Sequence, residues 1–187
     1  MATDPSPSPS ALVLLHPGFE EMEAITPIDI LRRAGVTVVV ASTDENSTVT
    51  GKNQITLIAD ANLSRLPRQS YDMIVLPGGP GIANLENRTD LHEMLRQQIE
   101  NGKWVAAICA APKVLDRAGL LQGRTFTGHF TLEPSLPELD PSRDVIVDHP
   151  LITSRGAGTA TQFALKLVEL LLEKEKSQAI ADSIHWS

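Results

Sequence analysis

A chain of 187 residues, 42% hydrophobic and 21% charged, is long enough to bury one sizeable core and too apolar to remain disordered. A net charge of −7 offers no basic excess to displace counterions, and 4% aromatics offer few stacking platforms, so nucleic acid is not expected as the main partner. The single cysteine, Cys109, rules out an internal disulfide and a thiolate-cluster metal site.

Residues 1–10 are rich in Pro and Ser and read as a disordered tail, leaving 11–187 as one domain. Residues 11–16 form a nearly continuous apolar run, as in a strand buried on both faces. That run is far shorter than the ~20 residues of a membrane-spanning helix, and it lacks the charged start of a signal peptide. No membrane contact is expected, and the chain reads as cytoplasmic with a reduced cysteine. Residues 20–34 read as a helix, with acids in the first turn, Arg32 and Arg33 in the last and Gly35 as the stop. Pro27 should kink or interrupt it. Residues 36–42 are β-branched and strand-like, and 48–58 suggest a hairpin turning at Gly51-Lys52-Asn53.

A further apolar strand, 71–76, stops at Pro77-Gly78-Gly79-Pro80-Gly81. A helix is predicted over 90–101, a strand over 104–108 and a helix over 110–118. Residues 125–127, 144–147 and 151–153 are short strand candidates, and 158–174 an amphipathic helix. This alternation implies an α/β, doubly wound sandwich with a mainly parallel sheet in a single domain. In such a sheet the site lies beyond the carboxyl ends of the strands, where the loops at 16–23, 77–85 and 109–112 fall.

Cys109, in Ala-Ala-Ile-Cys-Ala-Ala-Pro, falls where an apolar strand yields to a helix start among small residues. That is the layout of a nucleophile elbow, and a helix N-terminus there would favour thiolate. A small buried thiol is an equal alternative on position alone. The glycines after Pro77 suit backbone N–H groups aimed at a developing oxyanion, or simply a tight loop. They match neither a P-loop nor a dinucleotide fingerprint, and no histidine pair has zinc spacing, so no cofactor or metal is expected. Glu20 and Glu21 suit helix capping, whereas Glu23 lies one turn further in, towards the sheet. A partly buried Glu23 would have a raised pKa and could move a proton at Cys109. His129 is a candidate to approach Cys109 through space.

Four stretches in order, Pro17–Gly35, Tyr71–Gly79, Ala106–Pro112 and Leu151–Thr159, together resemble the ThiJ/PfpI superfamily in its DJ-one branch. The resemblance implies a flavodoxin-like fold, usually a homodimer. It implies that Cys109 is the nucleophilic, oxidation-sensitive cysteine and Glu23 the buried glutamate bonded to its sulfur. Gly78, Gly79 and Ala110 become backbone donors, and His129 a residue near the pocket. The implied activity is a cofactor-free, cysteine-dependent and glutathione-independent glyoxalase turning methylglyoxal into lactate, extending to protein or nucleotide deglycation. The partner is then a small reactive dicarbonyl or a glycated adduct. The alternative is a redox-sensing, stress-protective protein or chaperone acting through oxidation of Cys109 without significant turnover. Protease activity is unexpected, because Ala110 stands where the family's proteases carry His. Gly51-Lys52-Asn53 lacks the branch's arginine near the cysteine, Ala157 replaces a common proline, and Ser177–Ser187 only loosely matches the branch's long last helix.

Overall fold

The computed structural model describes residues 8–67 and 70–187. In chain order, β1 (Ser10–Leu15) leads into α1 (Glu21–Ala34) and β2 (Thr37–Ser42). The hairpin β3 (Thr48–Thr50) and β4 (Thr56–Ile58) follows, then β5 (Ala61–Asn62) and β6 (Met73–Leu76). Next come α2 (Thr89–Glu100), β7 (Trp104–Ile108), α3 (Pro112–Arg117), β8 (Val145–Asp148) and β9 (Leu151–Ser154). The chain closes with α4 (Ala160–Leu171) and α5 (Lys174–Ser183).

Seven strands form one sheet in the order β5-β2-β1-β6-β7-β9-β8, all parallel except β8 against β9. Alternating strand residues feed two cores. Ala11, Val13 and Leu15 of β1 pack towards α1, α4 and α5, with Leu31, Phe163 and Val168. Leu12 and Leu14 point the opposite way, towards α2 and α3, with Leu95 and Leu115. This is the doubly wound flavodoxin-like arrangement, covered on both faces and within one domain. Its strand order reverses between β1 and β6, so their carboxyl ends and the neighbouring end of β7 open one crevice.

Local chemistry explains the ends of α1. The Glu20 side chain accepts the Glu23 N–H at 3.0 Å, and Gly35 takes the left-handed conformation at φ 89°. The helix runs uninterrupted through Pro27, which is buried, so the expected interruption does not occur. The strand candidate at 125–127 is also corrected. Side chains replace a backbone ladder there: Thr125 N–H donates to Asp148 Oδ2 at 2.7 Å and Thr127 N–H to Thr153 Oγ1 at 2.9 Å.

The helix expected over 158–174 is present as α4 but ends at Leu171. Extended backbone at Glu173 breaks it, and α5 packs back onto α4, where Ser177 Oγ donates to Leu165 O at 2.7 Å. The helix expected from 110 begins at Pro112, a residue suited to a first helical position. Ser10 and Pro9 belong to the folded body, since Ser10 opens β1 and Pro9 O accepts the Thr37 N–H. Residues 1–7 of the expected tail lie outside the described residues.

Candidate active site

The loops leaving β1 and β6 interlock. Glu20 N–H donates to Gly78 O at 3.0 Å, and Gly81 N–H to Gly18 O at 3.3 Å. His16, at the end of β1, is buried between them, with Nδ1 facing Pro17 O and Nε2 facing Pro77 O, each at 3.2 Å. Burial pulls its pKa down, so near neutrality the ring is uncharged and only one of these contacts carries a proton.

Cys109 follows β7 at φ +65°, a left-handed conformation rare outside glycine. Two backbone bonds hold it there: its N–H donates to Ser154 O at 2.9 Å, and its carbonyl accepts the His129 N–H at 2.8 Å. The turn leaves the thiol only partly buried, between Ala110 and the glycine loop. This is the elbow geometry, strained backbone included.

Glu23 is fully buried on the inner face of α1. Its Oε2 accepts the Gly78 N–H at 2.9 Å, whereas Oε1 is buried with no hydrogen-bond partner among the described residues. Oε1 and the Cys109 sulfur face the same point: a Cβ on Gly156 would lie 3.8 Å from one and 3.9 Å from the other. Burial raises the Glu23 carboxyl from 4.5 to about 7, and the hydrogen bond from Cys109 opposes that rise. Cys109 is pushed up to about 12, first by burial and then by the charge on Glu23. The expected thiolate-favouring helix end is therefore overridden, because α3 is short and begins three residues beyond the sulfur. Backbone N–H groups of Ala110 and Gly79 pull the thiol the other way. With the proton on Glu23, the repulsion disappears and the carboxyl becomes a donor towards sulfur.

Gly78 departs from the expected role of oxyanion donor, since its N–H is taken by Glu23. Its lack of a side chain matters more. A Cβ there would lie 2.7 Å from Cys109 Cβ, 2.7 Å from Glu23 Oε2 and 2.8 Å from Ala110 N. Gly79 adopts φ +105° and presents its N–H to the thiol. The His129 side chain stands beside the site without a hydrogen bond to the thiol. Its Nδ1 engages Thr131 Oγ1 at 2.8 Å, and its ring stacks on Phe130 at 4.3 Å.

Three contributors were not singled out from the sequence. His16 ties two loops together, Gly156 forms the open side of the sulfur, and Lys52 supplies the nearby positive charge. Lys52 lowers the pKa values of both Glu23 and His129, so the hairpin turn does bring a cation, lysine rather than arginine. The loop pairing of Lys52 N–H to Phe19 O at 2.9 Å anchors that turn. No sequence period reports any of these, because each depends on loops far apart in the chain. Among the described residues, no group of three or more His, Cys, Asp or Glu is arranged to hold a metal ion.

The crystal structure of Drosophila melanogaster DJ-1beta superposes with a TM-score of 0.93 and 39% identity, covering 97% of this chain and 100% of that one. Oxidized Toxoplasma gondii DJ-1 superposes with a TM-score of 0.92 and 36% identity, covering 96% of this chain and 100% of that one. A Caenorhabditis elegans relative, glutathione-independent glyoxalase DJR-1.2, is 36% identical over 177 residues, which are 91% of this chain and 93% of the relative. The model of the DJ-1/PfpI family matches residues 9–170, which include the elbow, the glycine loop and Glu23. With sheet order, elbow and sequence in agreement, the chain belongs to the DJ-1/PfpI family.

Proposed function

We propose that the protein is a cofactor-free, cysteine-dependent, glutathione-independent glyoxalase that converts methylglyoxal to lactate. The observation that carries this reading is the fully buried Glu23, raised to about 7, whose unpartnered Oε1 and the sulfur of the partly exposed Cys109 both lie beside Gly156. A carboxyl poised near neutrality both accepts and returns a proton. Relationship to a named glyoxalase supports the same reaction class.

The steps balance without an oxidant. Glu23 takes the thiol proton as Sγ attacks the aldehyde carbon, and the alkoxide collects that proton to give a hemithioacetal. The N–H groups of Gly79 and Ala110, which face the sulfur, hold the developing oxyanion. Glu23 then removes the proton on the former aldehyde carbon, giving an enediol, and the neighbouring carbon is reprotonated. The resulting thioester is hydrolysed by one water to lactate and free thiol. General acid–base transfer of this kind contributes ~10²–10⁴-fold. His129 borders the site, and burial, reinforced by Lys52, lowers its pKa, so it serves as a neutral hydrogen-bonding group.

Deglycation of protein or nucleotide adducts falls within the same proposal, as release of a dicarbonyl from its adduct to Cys109. The working form is a homodimer in the cytoplasm. Met22 and Ile25 on α1, and Ile55 and Ile58 on the adjoining hairpin, are exposed apolar side chains suited to a second copy. The hairpin is tied to α1 by Asn53 N–H donating to Glu21 Oε1 at 2.6 Å. Among the described residues, no helix is long and apolar enough to cross a membrane.

The test is lactate formation from methylglyoxal without glutathione or added metal, with Cys109→Ser and Glu23→Gln in parallel. The expected result is lactate from wild type and a loss of at least ~10²-fold in each variant. Near-normal turnover in either variant overturns the mechanism. A second reading, redox sensing, draws on the partial exposure of Cys109 and the two N–H donors facing its sulfur. It requires one stable oxygenated product at Cys109 under mild peroxide together with no lactate from wild type.

A further inference from the structure

We propose that the cleft beside Cys109 is a subsite for an aromatic or branched apolar substituent, so that the preferred substrates are α-oxoaldehydes larger than methylglyoxal, with Phe130 as the specificity residue. This rests on the glyoxalase reading and names its substrate class. The cleft has a volume of about 250 Å³ and runs between His129-Phe130 and residues 155–159. It adjoins the sulfur at Gly156, where a Cβ would lie 3.9 Å from Cys109 Sγ and 3.7 Å from His129 Cδ2. Methylglyoxal displaces roughly the volume of three to four waters, on the order of 100 Å³, and would leave most of the cleft empty.

The walls show what fits. Residues 156–158 are Gly, Ala and Gly, so one side of the cleft carries only hydrogens and a methyl group. A Cβ on Gly158 would meet nothing within 4 Å. On the opposite side Phe130 is 65% exposed, while Leu132, two residues on, is buried in the core. The Phe130 ring lies 4.3 Å from the His129 ring, tilted by 37°, and so extends an aromatic surface outwards from the site. Arg155 lines the cleft too, but its guanidinium is paired with Asp144 at 3.3 Å. Its charge is balanced by that pairing, and the rest of the lining is more apolar than polar. A ring held by Phe130 would gain the contact energy of an offset or edge-on aromatic pair, about tenfold in kcat/KM.

The experiment compares kcat/KM for phenylglyoxal, read as mandelate, with that for methylglyoxal, read as lactate. Wild type, Phe130→Ala, Phe130→Leu and Gly158→Leu are measured, with folding checked by circular dichroism. The phenylglyoxal-to-methylglyoxal ratio should fall roughly tenfold in Phe130→Ala and Gly158→Leu and by less in Phe130→Leu. An unchanged ratio in Phe130→Ala and Gly158→Leu, with Cys109-dependent lactate intact, overturns the subsite and leaves the glyoxalase reading standing. If wild type turns over neither substrate, the glyoxalase reading fails by itself. Alkylation rates of Cys109 by N-phenyl iodoacetamide and iodoacetamide then decide the subsite. A wild-type preference for the phenyl reagent that disappears in Phe130→Ala and Gly158→Leu supports it, and the same preference in all of them overturns it.

Discussion

Glu23 and Cys109 are joined across the switch point of the sheet by what each lacks. One carboxylate oxygen accepts the Gly78 N–H, the other is buried with no hydrogen-bond partner among the described residues, and the carboxyl as a whole interacts with the thiol. The thiol in turn is raised to about 12, by burial first and by the Glu23 charge second. Two groups that would each prefer neutrality share one site, and their coupling is the quantity to perturb.

Glu23→Gln removes the charge and keeps the shape. The Cys109 pKa should fall from about 12 towards, but not to, the 9.0 of a free thiol, because burial persists. A drop of roughly one unit or more is expected, each unit being about 1.4 kcal/mol of differential interaction. The pH dependence of thiolate absorbance, or of alkylation rate, measures it. An unchanged or higher value would mean that the Glu23 charge does not reach the sulfur.

The same carboxyl sets a pH dependence of stability. Below about pH 4.5 Glu23 is protonated in both folded and unfolded chains, and above about 7 it is ionised in both. Between those values the folded state binds more protons, so its stability falls as pH rises. A rise of this size amounts to about 3 kcal/mol over the window. Urea unfolding at about pH 5 and about pH 8 should show wild type losing that stability relative to Glu23→Gln. Parallel losses in the two proteins would contradict the assigned rise.

Much of this site is legible in the residues themselves, for physical reasons. The runs that became β1, β6 and β7 are apolar on both faces because both faces are covered. The small residues around Cys109 mark a turn that bulky neighbours would block. Glu23 follows from its helical offset behind Glu20, the capping residue. His16, Lys52 and Gly156 depend on loop-to-loop approach, which no local pattern encodes. The segment 125–127 looks like a strand because its residues suit one, yet Asp148 and Thr153 take its N–H groups through side chains. The apolar run Leu170-Leu171-Leu172 carries the expected helix past the true end of α4 at Leu171, because the break comes only at the extended backbone of Glu173, which no apolar pattern marks.

Gly78→Ala tests how closely the loops approach. The added methyl would lie 2.7 Å from both Cys109 Cβ and Glu23 Oε2, and backbone at Ala110 N stands 2.8 Å away. Neither the elbow nor the buried carboxylate can yield without losing alignment. Destabilisation of about 1–3 kcal/mol is expected, as for other overpacked positions. Activity should fall by ~10²-fold or more as the reacting groups shift. Gly158→Ala, with open space around its Cβ, should leave the denaturation midpoint unchanged. Equal stability of Gly78→Ala and wild type would refute the packing argument.

The strain at Cys109 has its own signature. At φ +65° a side chain brings Cβ near the following carbonyl, at a cost of roughly 1–2 kcal/mol that glycine avoids. The turn nevertheless persists, because Ser154 O and the His129 N–H hold the Cys109 backbone on either side. Cys109→Ala and Cys109→Gly both delete the thiol, and neither fills its space. They differ in whether a Cβ remains at the strained residue. Cys109→Gly should therefore be more stable than Cys109→Ala by about 1 kcal/mol in urea unfolding, the reverse of their order at an ordinary strand or helix position. If Cys109→Ala proves the more stable, the left-handed turn carries no strain, and the elbow holds the sulfur by hydrogen bonding alone.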